Sequence, residues 1–339
     1  MREPLVEGSD TALATRHDVA LLDLDGVLYV GPDAVPGAPE AVIAAAAVGL
    51  RPAYVTNNAS RPPEAVAAHL RALGLPARAE DVVTSAQAAA TLVAERVAPG
   101  SAVLVVGGEG LEAALRERGL EPVRQAGPQV TAVVQGYDPE VGWRQLAEGS
   151  YAVATGVPWV ASNLDATIPT PRGIAPGNGT LVDVVARVAG RGPDAVAGKP
   201  EIALHQESVR RTGARRPLVV GDRLDTDIEG AVRANVPSLL VLTGVSRPAD
   251  LLSAGPERRP TYLAGDLADG LLKPHPPVVP AGAGWCCRGW TVTAEGAEVR
   301  VAGSGGPVDG LRALCVAWWG AADRLSGVDP APALAAVGW

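Results

Sequence analysis

Two short acidic clusters stand at the ends of apolar runs: Asp23-Leu24-Asp25-Gly26 after VALL, and Asp222, Asp225 and Asp227 after PLVVG. Side chains alternate along a strand, so carboxylates two residues apart can face the same side. Their repulsion then needs a cation or a proton-transfer task to offset it. Taken singly, Asp25-Gly26 reads more readily as a turn, and Asp222 or Asp225 as the cap of a following helix. Two such clusters converging at one sheet edge make a hard-cation site of the kind Mg²⁺ takes, with a few carboxylates and the remaining positions left to water and phosphate. Thr56-Asn57-Asn58 closes another apolar run and offers a hydroxyl, amides and main-chain N–H groups suited to a phosphate oxygen. Lys199, in Ala197-Gly198-Lys199-Pro200, adds a cation where glycine permits close backbone approach. It is one of only two lysines, with Lys273, among 29 basic residues, so its retention calls for a reason.

These residues need elements that deliver them to one edge. Residues 19–30 read VALLDLDGVLYV, then a turn-rich GPDAVPGAPE and the helical AVIAAAAVGL, which is strand, loop, helix. Residues 52–55 followed by TNNASRPP and EAVAAHLRALGL repeat the unit, and the pattern recurs at 102–120, 131–138, 151–163 and 216–242. Such alternation predicts a doubly wound parallel sheet with its loops gathered at the C-terminal ends of the strands. An inserted α/β unit is expected between Thr84 and Gly177, because TIPTPRGIAPGNG is too rich in Pro and Gly for a regular element.

The order DxDG, TNN, GKP, GDxxxxD resembles the haloacid dehalogenase-like phosphatases. DLDGVLY, TNNAS, AGKP and GDRLDTDIEGA are similar to the branch with the p-nitrophenylphosphatase-like and NagD-like enzymes, over about residues 18–272. The resemblance implies a Rossmann-like α/β core in two parts, 1–83 and 178–273, around a C2-type α/β cap at 84–177. It implies Asp23 as nucleophile and Asp25 as general acid and base, with Thr56, Asn57 and Lys199 holding the phosphoryl group. Mg²⁺ would be held by the Asp23 carboxylate, the Asp25 main-chain carbonyl and Asp222, with Asp227 orienting its water shell. SNLDATIPTPRG resembles the segment where the family's cap returns to its core, making Asp165 and Arg172 candidate substrate contacts, as are Asn58 and Arg61 beside the phosphate loop. The physical logic agrees, since a carboxylate can attack a phosphate dianion only when cations neutralise the equatorial oxygens.

Residues 274–339 read as a proline-rich linker and a small α+β module. The 55 residues after the linker fall below the roughly 70 that usually sustain a core alone, so the module is expected to dock on the main body or on a partner chain. WTVTAEGAEVRV alternates around Glu295-Gly296 as a hairpin, and Leu311, Leu314, Cys315 and Trp318 share a helical face. Arg300 to Gly305 matches the RxxGxG pattern that GCN5-related acetyltransferases use for the CoA pyrophosphate. The module is too short for such a domain and shows no acetyl-transfer base, so CoA binding is not expected. Cys286, Cys287 and Cys315 lack a metal-ligand spacing and are expected to pack as small apolar groups.

A net charge of −8 without basic runs argues against nucleic-acid binding. The longest apolar stretch, 41–50, is about half of what crosses a bilayer, and the N-terminus is acidic rather than signal-like, so a cytoplasmic protein with no membrane partner is expected. Core and tail together resemble the actinobacterial glycerol 3-phosphate phosphatases, which implies hydrolysis of that small phosphomonoester. Phosphoglycolate, pyridoxal phosphate, a nucleoside monophosphate or a sugar phosphate stays open as substrate, as does a phosphotransferase or mutase using the same aspartyl-phosphate. Relatives with this cap type often dimerise through it, which leaves a homodimer open as well.

Overall fold

The strand Val19–Leu22 is buried along its whole length, as a continuous apolar run is when helices cover both faces of a parallel sheet. It pairs in parallel with Pro217–Gly221, which pairs in turn with Ser238–Val241, and that strand with Tyr262–Ala264. The computed structural model describes residues 3–170 and 172–339. These strands belong to the first of two units, Met1–Pro52 with Ala214–Trp339; the second is Ala53–Gly213. The fold is α/β, with parallel sheets and helices and a separate antiparallel C-terminal module.

In the first unit that module docks on the parallel sheet. Val279–Ala281, Gly284–Cys287, Trp290–Glu295 and Glu298–Gly303 form a 4-stranded antiparallel sheet, with the hairpin turn at Gly296 where alternation places it. The helix Pro307–Gly320 then buries Leu311, Leu314, Cys315 and Trp318. These residues share one hydrophobic cluster with Leu240, Leu251 and Leu263 of the main body. Polar bonds fix the docking: Arg312 donates to Leu263 O at 2.5 Å, and Trp319 Nε1 to Leu251 O at 2.8 Å.

The proline-rich segment is no free spacer. His275 pairs with the backbone of Ser9, Val278 is fully buried, and Val279–Ala281 forms an edge strand, where proline's missing N–H costs no ladder bond. All three thiols are free, and burial pushes Cys287 up to about 11 and Cys315 well above the usual thiol range. In the RxxGxG segment Arg300 pairs with Glu298 at 3.0 Å. The helix start that follows carries its own carboxylate, Asp309, paired with Arg312 at 2.5 Å. That carboxylate supplies the negative charge a helix N-terminus favours.

In the second unit, Ala195–Val196, Trp159–Ala161, Val130–Gln135, Ala102–Val106 and Glu121–Val123 lie in that order in a 5-stranded sheet, all parallel. Its core packs Leu104, Val133, Val153, Trp159, Val182 and Val185. The sheet continues to Val196, beyond the boundary expected near Gly177, because Ala195–Val196 pairs with Trp159–Ala161 and the helix Asn178–Ala189 packs on Trp143–Ala154. The stretch expected to be irregular is an antiparallel hairpin, Thr167–Thr170 with Gly173–Pro176. A two-stranded ribbon leaves outward N–H positions that proline can occupy. In the same unit, residues 54–56 pair in parallel with Val82–Thr84.

Candidate active site

In the first unit the chain leaves Val19–Leu22 with the Asp23 N–H bonded to Val220 O at 2.9 Å. This places the half-buried Asp23 carboxylate at the C-terminal end of the parallel strands. The next strand, Pro217–Gly221, ends at Asp222, only 1% exposed. Its Oδ2 accepts the Val245 N–H at 2.6 Å, and its main-chain oxygen accepts the Ser246 N–H at 3.1 Å. Gly26 and Gly244 press so close that a side chain at either would overlap this carboxylate, and Gly26 has φ +81, in the left-handed region. Asp227, also buried, sits on the π-helical turn Leu224–Ile228 and accepts the Arg223 N–H at 3.2 Å.

Asp23, Asp222 and Asp227 each bring a carboxylate oxygen to within 4.8 Å of the others. Charges at that spacing repel by about 3 kcal/mol per pair at an effective dielectric of about 20, so the cluster calls for a compensating cation. Its donors are all hard oxygens, which suits Mg²⁺. Asp225, crowded beside them in sequence, lies outside the cluster. It is exposed and takes a two-point bond from Arg223 at 3.0 and 2.8 Å, which together with that arginine's charge holds its carboxyl below the usual range. Asp25 is exposed, with Tyr29 Oη donating to it at 3.4 Å.

In the second unit Thr56 is buried at the end of its strand, and its Oγ1 accepts the Asn58 N–H at 3.0 Å. That leaves the hydroxyl proton to donate elsewhere. Asn58 Oδ1 closes a local turn by accepting from Ser60 N and Oγ, both at 2.8 Å. Lys199 is 5% exposed. Its main-chain N–H donates to Asn57 Oδ1 at 2.8 Å, and Asn57 Nδ2 donates back to Lys199 O at 3.1 Å and to Asp165 Oδ2 at 3.2 Å. The Asn57 carbonyl accepts from Ser85 Oγ at 2.5 Å and Asn163 Nδ2 at 2.7 Å.

Of the residues singled out in sequence, Thr56, Asn57, Asn58, Asp165 and Lys199 fall in this network, whereas Arg61 is exposed and Arg172 lies exposed in the hairpin connection. Sequence reasoning missed Ser85, Asn163 and the Val245 N–H. Asn163 stands two residues before Asp165 in SNLD, a signal that could have found it; a main-chain donor leaves none.

A model of the haloacid dehalogenase-like hydrolases matches residues 20–121, and a HAD-hydrolase-like model matches residues 196–270. A model of the GCN5-related N-acetyltransferase like domain matches residues 287–339. The chain is similar to a D-glycerol 3-phosphate phosphatase of Mycobacterium tuberculosis, 50% identical over 256 residues that span 76% of this chain and 71% of the relative. It is 36% identical over 260 residues to an acid sugar phosphatase of Staphylococcus aureus, spanning 76% of this chain and 98% of that one. Among solved structures, a glycerol phosphate phosphatase of M. tuberculosis in complex with magnesium superposes with a TM-score of 0.85 at 44% identity, over 91% of this chain and 92% of that one.

Proposed function

This chain belongs to the haloacid dehalogenase-like hydrolases and is a phosphoric monoester hydrolase, and from that premise we propose that it hydrolyses glycerol 3-phosphate to glycerol and phosphate with Mg²⁺. The observation that carries the chemistry is the oxygen-only cluster of Asp23, Asp222 and Asp227. The similarity of most of the chain to a D-glycerol 3-phosphate phosphatase supports the choice of ester.

Asp23 and Asp222 would hold Mg²⁺, with the Asp25 main-chain carbonyl as a further ligand and Asp227 orienting its water shell. When bound, the ion supplies positive charge against the repulsion between a phosphate dianion and a carboxylate. The Asp23 carboxylate attacks phosphorus as the bond from phosphorus to the glycerol oxygen breaks, and Asp25 gives that oxygen its proton. Water then attacks phosphorus of the aspartyl-phosphate, Asp25 takes the proton, and the Asp23 carboxylate departs. Thr56 donates its hydroxyl proton to the phosphoryl group and Lys199 contributes an ammonium. Asn57 contributes its main-chain N–H.

The test is phosphate release from a panel of phosphomonoesters in Mg²⁺, with no added acceptor, compared by kcat/KM. Glycerol 3-phosphate is expected to lead phosphoglycolate, pyridoxal phosphate, nucleoside monophosphates and sugar phosphates. A different ester leading by tenfold would replace it as the substrate, and turnover only with an added acceptor would make the enzyme a phosphotransferase.

A further inference from the structure

The Asn57 side-chain amide is fully committed. Its oxygen can only accept, and it faces the Lys199 N–H at 2.8 Å, which also settles which end of the amide is oxygen. Its two N–H groups go to Lys199 O at 3.1 Å and Asp165 Oδ2 at 3.2 Å. No side-chain donor remains for an anion. The amide instead grips both main-chain groups of one residue, as a strand partner would. The gripping residue is itself anchored, because Ser85 and Asn163 both donate to the Asn57 carbonyl. Gly198 completes the fit, since a side chain there would fall 2.6 Å from Asn57 Oδ1 and 2.7 Å from Ser162 O.

We propose that the Asn57 side chain is a positioning residue that fixes the backbone from which Lys199 presents its ammonium, and that it joins that lysine to Asp165. The long lysine side chain has about 2 kcal/mol of rotamer entropy, so a buried ammonium reaches one place only if its main chain is held. Asn57 holds it from a strand end distant in sequence, with the Asp165 carboxylate as the third point of the clamp. The inference rests on the reading of Lys199 as a phosphoryl-holding group.

A double-mutant cycle on the full chain in Mg²⁺ tests it, with inorganic phosphate as competitive inhibitor. Asn57→Ala is expected to raise the inhibition constant about tenfold, the effect of one or two lost hydrogen bonds. In a Lys199→Ala background the same substitution should add less than about twofold, because the group it positions is gone. An undiminished effect in that background would overturn the proposal, since Asn57 would then act independently of Lys199, as would no effect in the unaltered chain. Lys199→Ala leaving phosphate inhibition unchanged would sink the phosphoryl-holding reading, and the proposal with it. Asn57→Ser, a short polar side chain unable to span both main-chain groups, gives the same cycle if the alanine variant fails to fold.

Discussion

The Asp222 carboxylate receives the Val245 N–H at 2.6 Å. This main-chain bond aims an acid that is almost wholly withdrawn from solvent. The loop that supplies it approaches only because residue 244 is glycine, whose absent side chain would overlap Asp222. Gly244→Ala should therefore move either the loop or the carboxylate. The expected outcome is Mg²⁺ affinity weakened at least about tenfold, with a stability loss of about 1–3 kcal/mol from overpacking. Mg²⁺ titration by calorimetry alongside thermal melts checks both.

His275 ties the first unit's stability to pH. It is 2% exposed, lies between Gly270 O at 2.8 Å and Arg312 at 3.3 Å, and is pushed by burial, with Arg312 beside it, down to about 4. Its folded value lies below the unfolded 6.5, so the unfolded chain binds the proton first. Stability should fall as pH drops from 6.5 toward 4, by up to roughly 3 kcal/mol. Melting temperatures across that window should show the slope, and His275→Gln should flatten it.

The C-terminal module shares its hydrophobic cluster with the phosphatase sheet rather than hanging from a linker. Leu314→Ala, at a fully buried position, should cost about 2–5 kcal/mol. The loss should appear in the transition of the whole first unit. A separate low-temperature transition of the module, leaving the rest unmoved, would show that the cluster is not cooperative.

Much of this architecture was legible in the sequence. Runs such as VALL and PLVVG are apolar throughout because parallel strands are buried on both faces, so the acids that follow them, Asp23 and Asp222, announce a strand end. Asp225 misled by proximity: along the chain it crowds with Asp222 and Asp227, yet the π-helical turn leaves it exposed beside Arg223. The role of Asn57 was illegible for a different reason. Its partners Asp165 and Lys199 lie 108 and 142 residues away, and two of its bonds involve main-chain atoms that carry no residue identity. Pro and Gly before Gly177 mark both irregular chain and a tight two-stranded ribbon, and only the pairing of Thr167–Thr170 with Gly173–Pro176 separates the two.

The mechanism turns on the attack of Asp23 on phosphorus. Its most direct test is the rate of phosphate release from glycerol 3-phosphate, in saturating Mg²⁺, by the Asp23→Asn chain. The chain should stay folded while turnover falls by at least about a thousandfold, since removing a nucleophile removes the covalent path itself. Mg²⁺-dependent turnover within tenfold of the unaltered chain would contradict it.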